Sequence, residues 1–349
     1  MDRRPTQADV ARAAGVHRTT VSLTFKNHPS IPEATKQKVM RCAEELGYSP
    51  DPMLSSLAAY RGRIRPRAFQ GTLAWMVNDY AGEMSWRTVT SSVAYYEGAL
   101  SRAKLHGFHL EVFDIQQTAV SPARLASILR ARNIQGLLLA PQVRADVEIL
   151  LPWEQFSAVT FGYSLVRPRL HTITATQFRA TMLTMRQLKR LGYHRIGFYF
   201  NAHHDDRTDH NYLAGYLVET FEPANPAPCV IPPLFSSGVD AGQFMRWYRE
   251  HRPDALMTGH MNILELLENW GIDVPGELGV ASPLVPHKAS PLAGVYEDSF
   301  HIGEAATDYL VGMIHRGERG IPEHPQRAHI EGVWHAGQTL RQRSASSTG

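Results

Sequence analysis

The densest run of side chains able to bind metal or move protons in this 349-residue chain is His203-His204-Asp205-Asp206-Arg207-Thr208-Asp209-His210. Imidazoles and carboxylates so close together suit Zn2+ or another divalent ion, and the chain holds 17 histidines from which to draw. Arg207, however, puts a positive charge in the middle of the run. Neither a His-Glu-x-x-His pair nor a second ligand cluster accompanies it, so the run reads more readily as a solvated loop facing a small molecule than as a metal site. Serine hydrolysis lacks its Gly-x-Ser-x-Gly elbow, and no Walker phosphate loop is present. No cofactor is expected and the chain does not read as an enzyme. A metal-dependent hydrolase carrying an accessory head is the alternative that this run leaves open.

A second constellation lies at the N-terminus, in Thr6-Gln7-Ala8-Asp9-Val10-Ala11-Arg12-Ala13-Ala14-Gly15-Val16-His17-Arg18-Thr19-Thr20-Val21-Ser22. Thr6 with Asp9 three residues on has the shape of a capping box, and Val10, Ala11 and Ala14 form one apolar face. Gly15 permits a tight turn. A second helix over His17 or Arg18 to Phe25 turns Val21 and Phe25 inward and leaves Arg18, Thr19 and Ser22 outside. A third starts near Pro32, with Ser30 and Glu33 as a second capping pair and Val39, Ala43 and Leu46 as its buried face. Two short helices broken by a glycine, the second too polar to be buried all round, are laid out as a helix-turn-helix, whose second helix enters the DNA major groove.

The charge distribution agrees. Residues 1–67 carry 12 Lys/Arg against 6 Asp/Glu, whereas the remainder carries 24 against 27. A basic end on an acidic body is the electrostatic footprint of a nucleic-acid-binding head, and its helical periodicity and caps argue against a merely solvated tail. The length fits two or three domains, and 43% apolar residues supply real cores. No apolar run approaches a membrane span and the N-terminus has no signal-peptide apolar core, so a cytoplasmic location is expected. Cys42 and Cys229 fall in apolar-patterned segments and read as inert buried thiols.

Further along the chain, Asp51 and Pro52 can start a short fourth helix over 51–60, marginal by itself and therefore suited to fold on binding. Gly62-Arg63-Ile64-Arg65-Pro66-Arg67 is a basic linker. From Thr72, apolar runs alternate with amphipathic segments. Strands are expected at Leu73–Val77, Leu110–Phe113, Leu137–Ala140, Val159–Phe161, Ile196–Phe200, Cys229–Ile231, Ala255–Thr258 and Leu278–Ala281. Helices are expected at Ser91–His106, Ala123–Arg132, Phe178–Leu191, Asn211–Glu222, Ala241–His251 and Met261–Trp270. Repeated strand–helix units imply parallel sheets covered on both faces, and two sets imply two α/β lobes with a cleft between their strand ends.

These features resemble the lactose-repressor (LacI/GalR) family of bacterial transcription regulators. The resemblance rests on Asp9-Val10-Ala11, Ala14-Gly15-Val16, Thr20-Val21-Ser22, Ala43-Glu44-Glu45-Leu46-Gly47-Tyr48 and Pro50 followed by Leu57. It extends to Leu188-Lys189-Arg190-Leu191-Gly192-Tyr193-His194-Arg195-Ile196-Gly197 and Gly271-Ile272-Asp273-Val274-Pro275-Gly276-Glu277. It implies a helix-turn-helix head with a hinge helix (1–60) and a linker (61–68). A periplasmic-binding-protein-like two-lobe α/β core with parallel sheets would then occupy 69–349, lobe 1 being 69–166 with 299–320 and lobe 2 being 167–298 with 321–343. The lobes would be crossed near Leu165–Arg169, Tyr296–Phe300 and Gly320–Pro322. Base edges would be read by Arg18, Thr19 and Leu23, further DNA contacts would come from Thr6, Thr20, Ser22, Asn27 and Arg61, and Leu57 would wedge into the minor groove. Leu23 stands where the family usually has Arg, and Pro52 and Leu54 alter the usual hinge composition.

Loops at strand ends should line the cleft. Tyr80, Trp86, Tyr163 and Tyr296 could stack on a sugar, Asn78, Glu297 and Asp298 could take its hydroxyls, and Gln142, Tyr212 and His260 complete the expected lining. Three of the family's polar anchors are missing. Tyr212 stands at the effector-binding Arg, Ser282-Pro283-Leu284-Val285 replaces a Gly-Phe-Asp-Asp segment, and His260-Met261 replaces an Asn-Asp pair. Either the ligand differs from the usual sugars or the cleft has lost its effector, which would leave a ligand-independent DNA-binder. The expected protein is a transcriptional regulator, a repressor, binding double-stranded operator DNA as a homodimer under control of a small molecule, with a carbohydrate foremost. The tail Ser344–Gly349 has no apolar heptads and supports no tetramer.

Overall fold

The structure, a computed structural model, describes residues 5–25, 28, 30–48, 69–79, 85–116, 121–221, 230–238 and 240–343. The expected hinge helix with Leu57 and Arg61, together with Asn27, Tyr80, Cys229 and the tail 344–349, lies outside the described residues.

The head is three helices, α1 (Gln7–Ala14), α2 (Arg18–Phe25) and α3 (Glu33–Glu45). Thr6 caps α1, its backbone N–H and hydroxyl both donating to Asp9 Oδ2 at 2.9 and 2.6 Å. Gly15 ends the helix in the left-handed region at φ 64°, which a residue with a Cβ adopts at a cost. Val10, Ala11, Ala14, Val21, Val39 and Ala43 form one buried cluster. Two expectations fail here. Pro32 rather than Ser30 occupies the N-cap of α3, because the Ser30 hydroxyl is engaged with His28 Nδ1 at 2.7 Å. Leu46 is 40% exposed, and the edge-on contact of Phe25 with Tyr48 closes that side of the core instead. Cys42 is half-buried against the same cluster.

The body begins with β1 (Gly71–Val77), α4 (Thr90–Leu105), β2 (Phe108–Asp114), α5 (Pro122–Ala131), β3 (Ile134–Leu139), β4 (Val147–Glu148), β5 (Ser157–Phe161), β6 (Leu165–Arg167) and β7 (His171–Ala175). It continues through α6 (Gln177–Arg190), β8 (Ile196–Asn201), α7 (Ala202–Arg207), α8 (Asn211–Thr220), β9 (Leu234–Ser236), α9 (Ala241–His251), β10 (Ala255–Thr258), α10 (Ile263–Asn269), β11 (Gly279–Val285) and β12 (Ala293–Tyr296). Last come α11 (Ser299–Arg316), β13 (Arg327–Ile330) and β14 (Val333–His335).

Two six-stranded sheets result, ordered β13-β7-β5-β3-β1-β2 and β14-β12-β11-β10-β8-β9. All pairs are parallel except β12 with β14. Along β1, Leu73, Trp75 and Val77 face one core while Ala74 and Met76 face another. This two-sided burial explains why its sequence is continuously apolar rather than alternating. In the second sheet Phe198 and Phe200 of β8 face α6 and α8, and Tyr199 faces α9 and α10. The edge strand does not fall on Val230 and Ile231, the described part of the 229–231 apolar run: Ile231 is buried in coil and the pairing falls on β9. No helix of the described residues is long and apolar enough to cross a membrane.

Sheet membership moves two of the expected crossings. Because β7 belongs to the first sheet, the chain first passes over at Thr176, after 165–169. Because β13 also belongs there, the last crossing falls at 331–332, after 320–322. Both strands escape the apolar-run criterion, β13 because it is an exposed edge and β7 because its sequence is His-Thr-Ile-Thr-Ala. The middle crossing, at 297–298, lies within the expected segment and leads directly into α11.

Helices α4 and α11 meet backbone to backbone. A Cβ at Gly98 would overlap the Phe300 carbonyl oxygen, and one at Gly303 would overlap that of Tyr95. Arg102 of α4 and His106, its C-cap, pair with Glu304 and Asp308 of α11 at 3.3 and 2.6 Å. Gly303→Ala should therefore push the helices apart and cost about 1–3 kcal/mol in urea unfolding. Gly238→Ala, on an exposed turn with open space around the position, should stay within about 1 kcal/mol of the parent. Equal stability of the two variants would contradict the close approach.

Candidate functional site

In the head, the polar face of α2 is presented outward. Arg18 and Thr19 are exposed, Thr20 and Ser22 are half-exposed, and only Val21 and Thr24 are buried. His17 receives the Thr19 backbone N–H on Nδ1 at 3.3 Å and so caps the helix start, while the Thr24 hydroxyl donates to Thr20 O at 2.8 Å. Thr6 is exposed at the start of α1, with its hydroxyl already spent on Asp9. Leu23 is half-buried, yet it is not part of the three-helix cluster. It lines a small crevice with Gln70, Phe108 and Gln135 of the first lobe.

Between the lobes lies a cavity of about 360 Å3. Its walls come from segments that follow strand ends in both sheets. Pro141 follows β3, Gly162, Tyr163 and Ser164 follow β5, and Thr174 lies next to the last residue of β7. From the second sheet come His204, Arg207 and Thr208 after β8, Gly259 and Met261 after β10, Leu284 and Val285 at the end of β11, and Glu297 after β12. The start of α4 contributes Thr90, Ser91, Ser92 and Tyr95. This is where a doubly wound sheet binds ligands, doubled by the facing of two such sheets.

Of the residues expected to line the cleft, Tyr163, Tyr212 and Glu297 do so. The others among the described residues are committed elsewhere. Asn78 is buried and accepts from Gln116 Nε2 at 2.8 Å. Trp86 is buried against Trp75 and Tyr96 in the first core. Gln142 is buried, its amide Nε2 donating to Ala140 O at 2.6 Å. His260 stacks on Tyr199 with ring centroids 4.3 Å apart, leaving its neighbours Gly259 and Met261 to reach the cavity. Tyr296 donates to Asp298 Oδ1 at 3.3 Å, and that carboxylate also accepts the His301 N–H as the cap of α11. Arg207 reaches the cavity from the 203–210 run, which was expected to face a small molecule, whereas Tyr95, Ser91, Ser92 and Gln177 were not expected there. The hydroxyl run Thr88-Val89-Thr90-Ser91-Ser92 was the available sign, since apolar periodicity hides a tyrosine that packs and faces ligand at once.

The 203–210 run forms α7 and the turn after it rather than an open loop. Asp205 is buried, accepting from the Leu213 backbone N–H at 3.3 Å and pairing with His210 Nδ1 at 2.8 Å. His203 reaches across to Val143 O of the first lobe at 2.7 Å. His204 turns into the cavity, where burial and then the nearby Arg207 charge hold its imidazole neutral, with a pKa lowered to about 4.

The cavity's polar groups are unevenly paired. Tyr212 donates to Glu297 Oε1 at 3.1 Å. Burial nevertheless pushes the Glu297 carboxyl up to about 7, the Tyr212 bond pulling against it. Tyr95 lies between opposite charges: burial and Glu297 raise its phenol's pKa, while Ser299 and Arg207 lower it. Glu297 thus holds its proton in the folded protein at pH values where the unfolded chain, with an ordinary value near 4.5, has released it. The group favours folding at acid pH, and that contribution is lost as pH rises through about 7. Glu297→Gln should therefore flatten the fall in stability between pH 5 and 8 followed by urea unfolding; parallel curves for the two proteins would refute a carboxyl held in this state.

Residues 6–51 match the family model described as bacterial regulatory proteins, lacI family. The chain is similar to the HTH-type transcriptional regulator DegA of Bacillus subtilis (strain 168), 32% identical over 113 residues covering 28% of this chain and 34% of DegA. The first relatives are thus matched over about a third of their length. Similarity to the HTH-type transcriptional repressor PurR of Photobacterium profundum is lower, at 21%, but runs over 88% of this chain and 91% of PurR. The fold is that of the lac repressor dimer bound to operator and the anti-inducer ONPF, with a TM-score of 0.54 at 16% identity over 97% of this chain and 99% of that one. The head's family match, the near full-length similarity to PurR and the shared two-lobe architecture agree: residues 6–51 form a lacI-family head, and the chain as a whole is similar to bacterial regulators that carry one.

Proposed function

We propose that the protein is a DNA-binding transcriptional regulator, a repressor, which binds a pseudo-palindromic operator as a homodimer and responds to a small molecule held between its lobes. The observation that carries this reading is the pairing of two features in one chain. A basic three-helix head leaves Arg18 and Thr19 exposed at the start of its second helix, and two lobes enclose a cavity at their strand ends. The head is the part that matches the lacI family model, and the lac repressor dimer whose fold this chain shares is bound to operator and anti-inducer.

Two heads would lie in successive major-groove halves, Arg18 and Thr19 reading base edges while Thr6, Thr20, Ser22 and Asn27 fix register. Leu57 and Arg61 would act between the heads, in the minor groove and on the backbone. Leu23, apolar where a guanine-reading Arg is usual, would contact a thymine methyl and shift base reading onto Arg18. A ligand that fits one lobe spacing better than another changes operator affinity by that difference, typically about 1–3 kcal/mol.

Selection of bound DNA from a random library by the full chain should return two inverted half-sites. On the selected site Arg18→Ala should cost about 1–3 kcal/mol and relax one base pair. An equal loss on every sequence would make Arg18 a phosphate contact, and a dependence of log K on log[salt] shallower than about −3 would contradict a dimer using this head.

A further inference from the structure

We propose that the cleft is built for an acidic polyol, a carbohydrate-sized molecule carrying several hydroxyls and one carboxylate or phosphate, with the acid group on Arg207 and a hydroxyl on Glu297. This rests on the reading of the cleft as the effector site and names the chemistry of its occupant.

Arg207 lines the cavity, and its Nε is buried without a hydrogen-bond partner. Some arginines of the body are paired with a carboxylate, Arg186 with Glu219 and Arg316 with Glu318 among them. Among the described residues no carboxylate pairs with Arg207, although burial already weakens its hold on its proton. A guanidinium whose Nε is buried, with no carboxylate on it among the described residues, is a cost that the folded chain bears until something fills the gap. A neutral sugar would offer it only hydroxyl dipoles and a basic ligand would repel it, whereas an acid group matches its planar fork.

The start of α4 independently points the same way. Its N-cap, Val89, supplies no side-chain acceptor, its first turn contains no acid, and Thr90, Ser91 and Ser92 open onto the cavity. Ser91 and Ser92 lie one turn before Tyr95, the residue whose phenol feels the Arg207 charge. A helix start with hydroxyls and no carboxylate favours negative charge nearby. Glu297 is the lone acid among the described lining residues, and Tyr212 already occupies one of its oxygens. Its remaining capacity suits a ligand hydroxyl. Tyr163, Tyr212, Leu284 and Val285 offer flat and apolar surface for C–H faces, and about 360 Å3 sits at the small end of ligand pockets.

Calorimetric titration of the full chain with matched pairs tests this: glucuronate against glucose, gluconate against glucitol, and glucose 6-phosphate against glucose. The acid of at least one pair should bind about tenfold or more tightly than its neutral partner. A win for glucuronate or gluconate assigns a carboxylate, and a win for glucose 6-phosphate a phosphate. Arg207→Gln, checked for an unchanged unfolding temperature, should bring the pair to within about threefold, and Arg207→Lys should keep part of the preference because it retains charge without the fork. Should Arg207→Gln fail to fold, the acid-to-neutral ratio on the parent chain decides. Neutral members binding as tightly as the acids would overturn the acid assignment and leave the effector cleft standing. Binding by none of them, with operator affinity unmoved, would overturn both.

Discussion

The contact on which the cleft depends is the backbone approach of α4 to α11 at Gly98 and Gly303. Helix α11 begins immediately after the crossing at 297–298, so seating it on α4 fixes where the second lobe's last strand hands the chain to the first. The same seating brings Ser299 and Glu297 up to Tyr95. Tyr95 is itself held by stacking on Phe161 of β5, at 5.2 Å and 10°, and the residues after Phe161 form the opposite wall. A small-residue contact deep in one helix pair therefore sets positions at three sides of a cavity. Larger residues would have buried more area, but at the expense of that fixed spacing.

Charge and hydroxyls face one another across the cleft, with Arg207 and Glu297 coming from the second sheet. Arg207 belongs to the second lobe, whereas Tyr95 and the hydroxyls of α4 belong to the first. An anion seated on Arg207 and the start of α4 would join the two lobes, as the His203 to Val143 hydrogen bond already does on the rim. Closing the lobes around it lowers the local dielectric and strengthens the contact further. A ligand held this way has different affinity for open and closed forms, which is the only means by which it can bias them.

Much of the fold was legible because burial on both faces of parallel strands writes itself as apolar runs. Gly71–Val77, Ala255–Thr258 and the helices at 241–251 and 90–105 could be read that way. The strands that escaped are those where burial and composition part company. His171–Ala175 is fully buried with threonines and a histidine, and Arg327–Ile330 is a largely exposed edge. Losing those two strands displaced two lobe crossings. In the cleft, Tyr163 and Glu297 followed from their place after strand ends, while Asn78 and Trp86, with the same placement, were drawn into the first lobe's own packing. Distance from a strand end tells which loop faces the cleft but not which way each side chain turns.

The run 203–210 makes the same point with the opposite sign. As a sequence it offered ligands for a metal, and Arg207 was its flaw. Folded, Asp205 is consumed in holding the start of α8, and Arg207 becomes the group with unfilled capacity. The cation missing at Tyr212 is thus supplied five residues earlier, from a different helix, while Tyr212 turns to Glu297. A phenol donating to a half-buried carboxyl can satisfy it without a charge, so the second lobe's cation is left free to face whatever enters. That exchange leaves the cavity with one cation and one carboxyl, both acting on Tyr95. A molecule carrying an acid group and hydroxyls can engage both, whereas a neutral hexose brings no anion for Arg207.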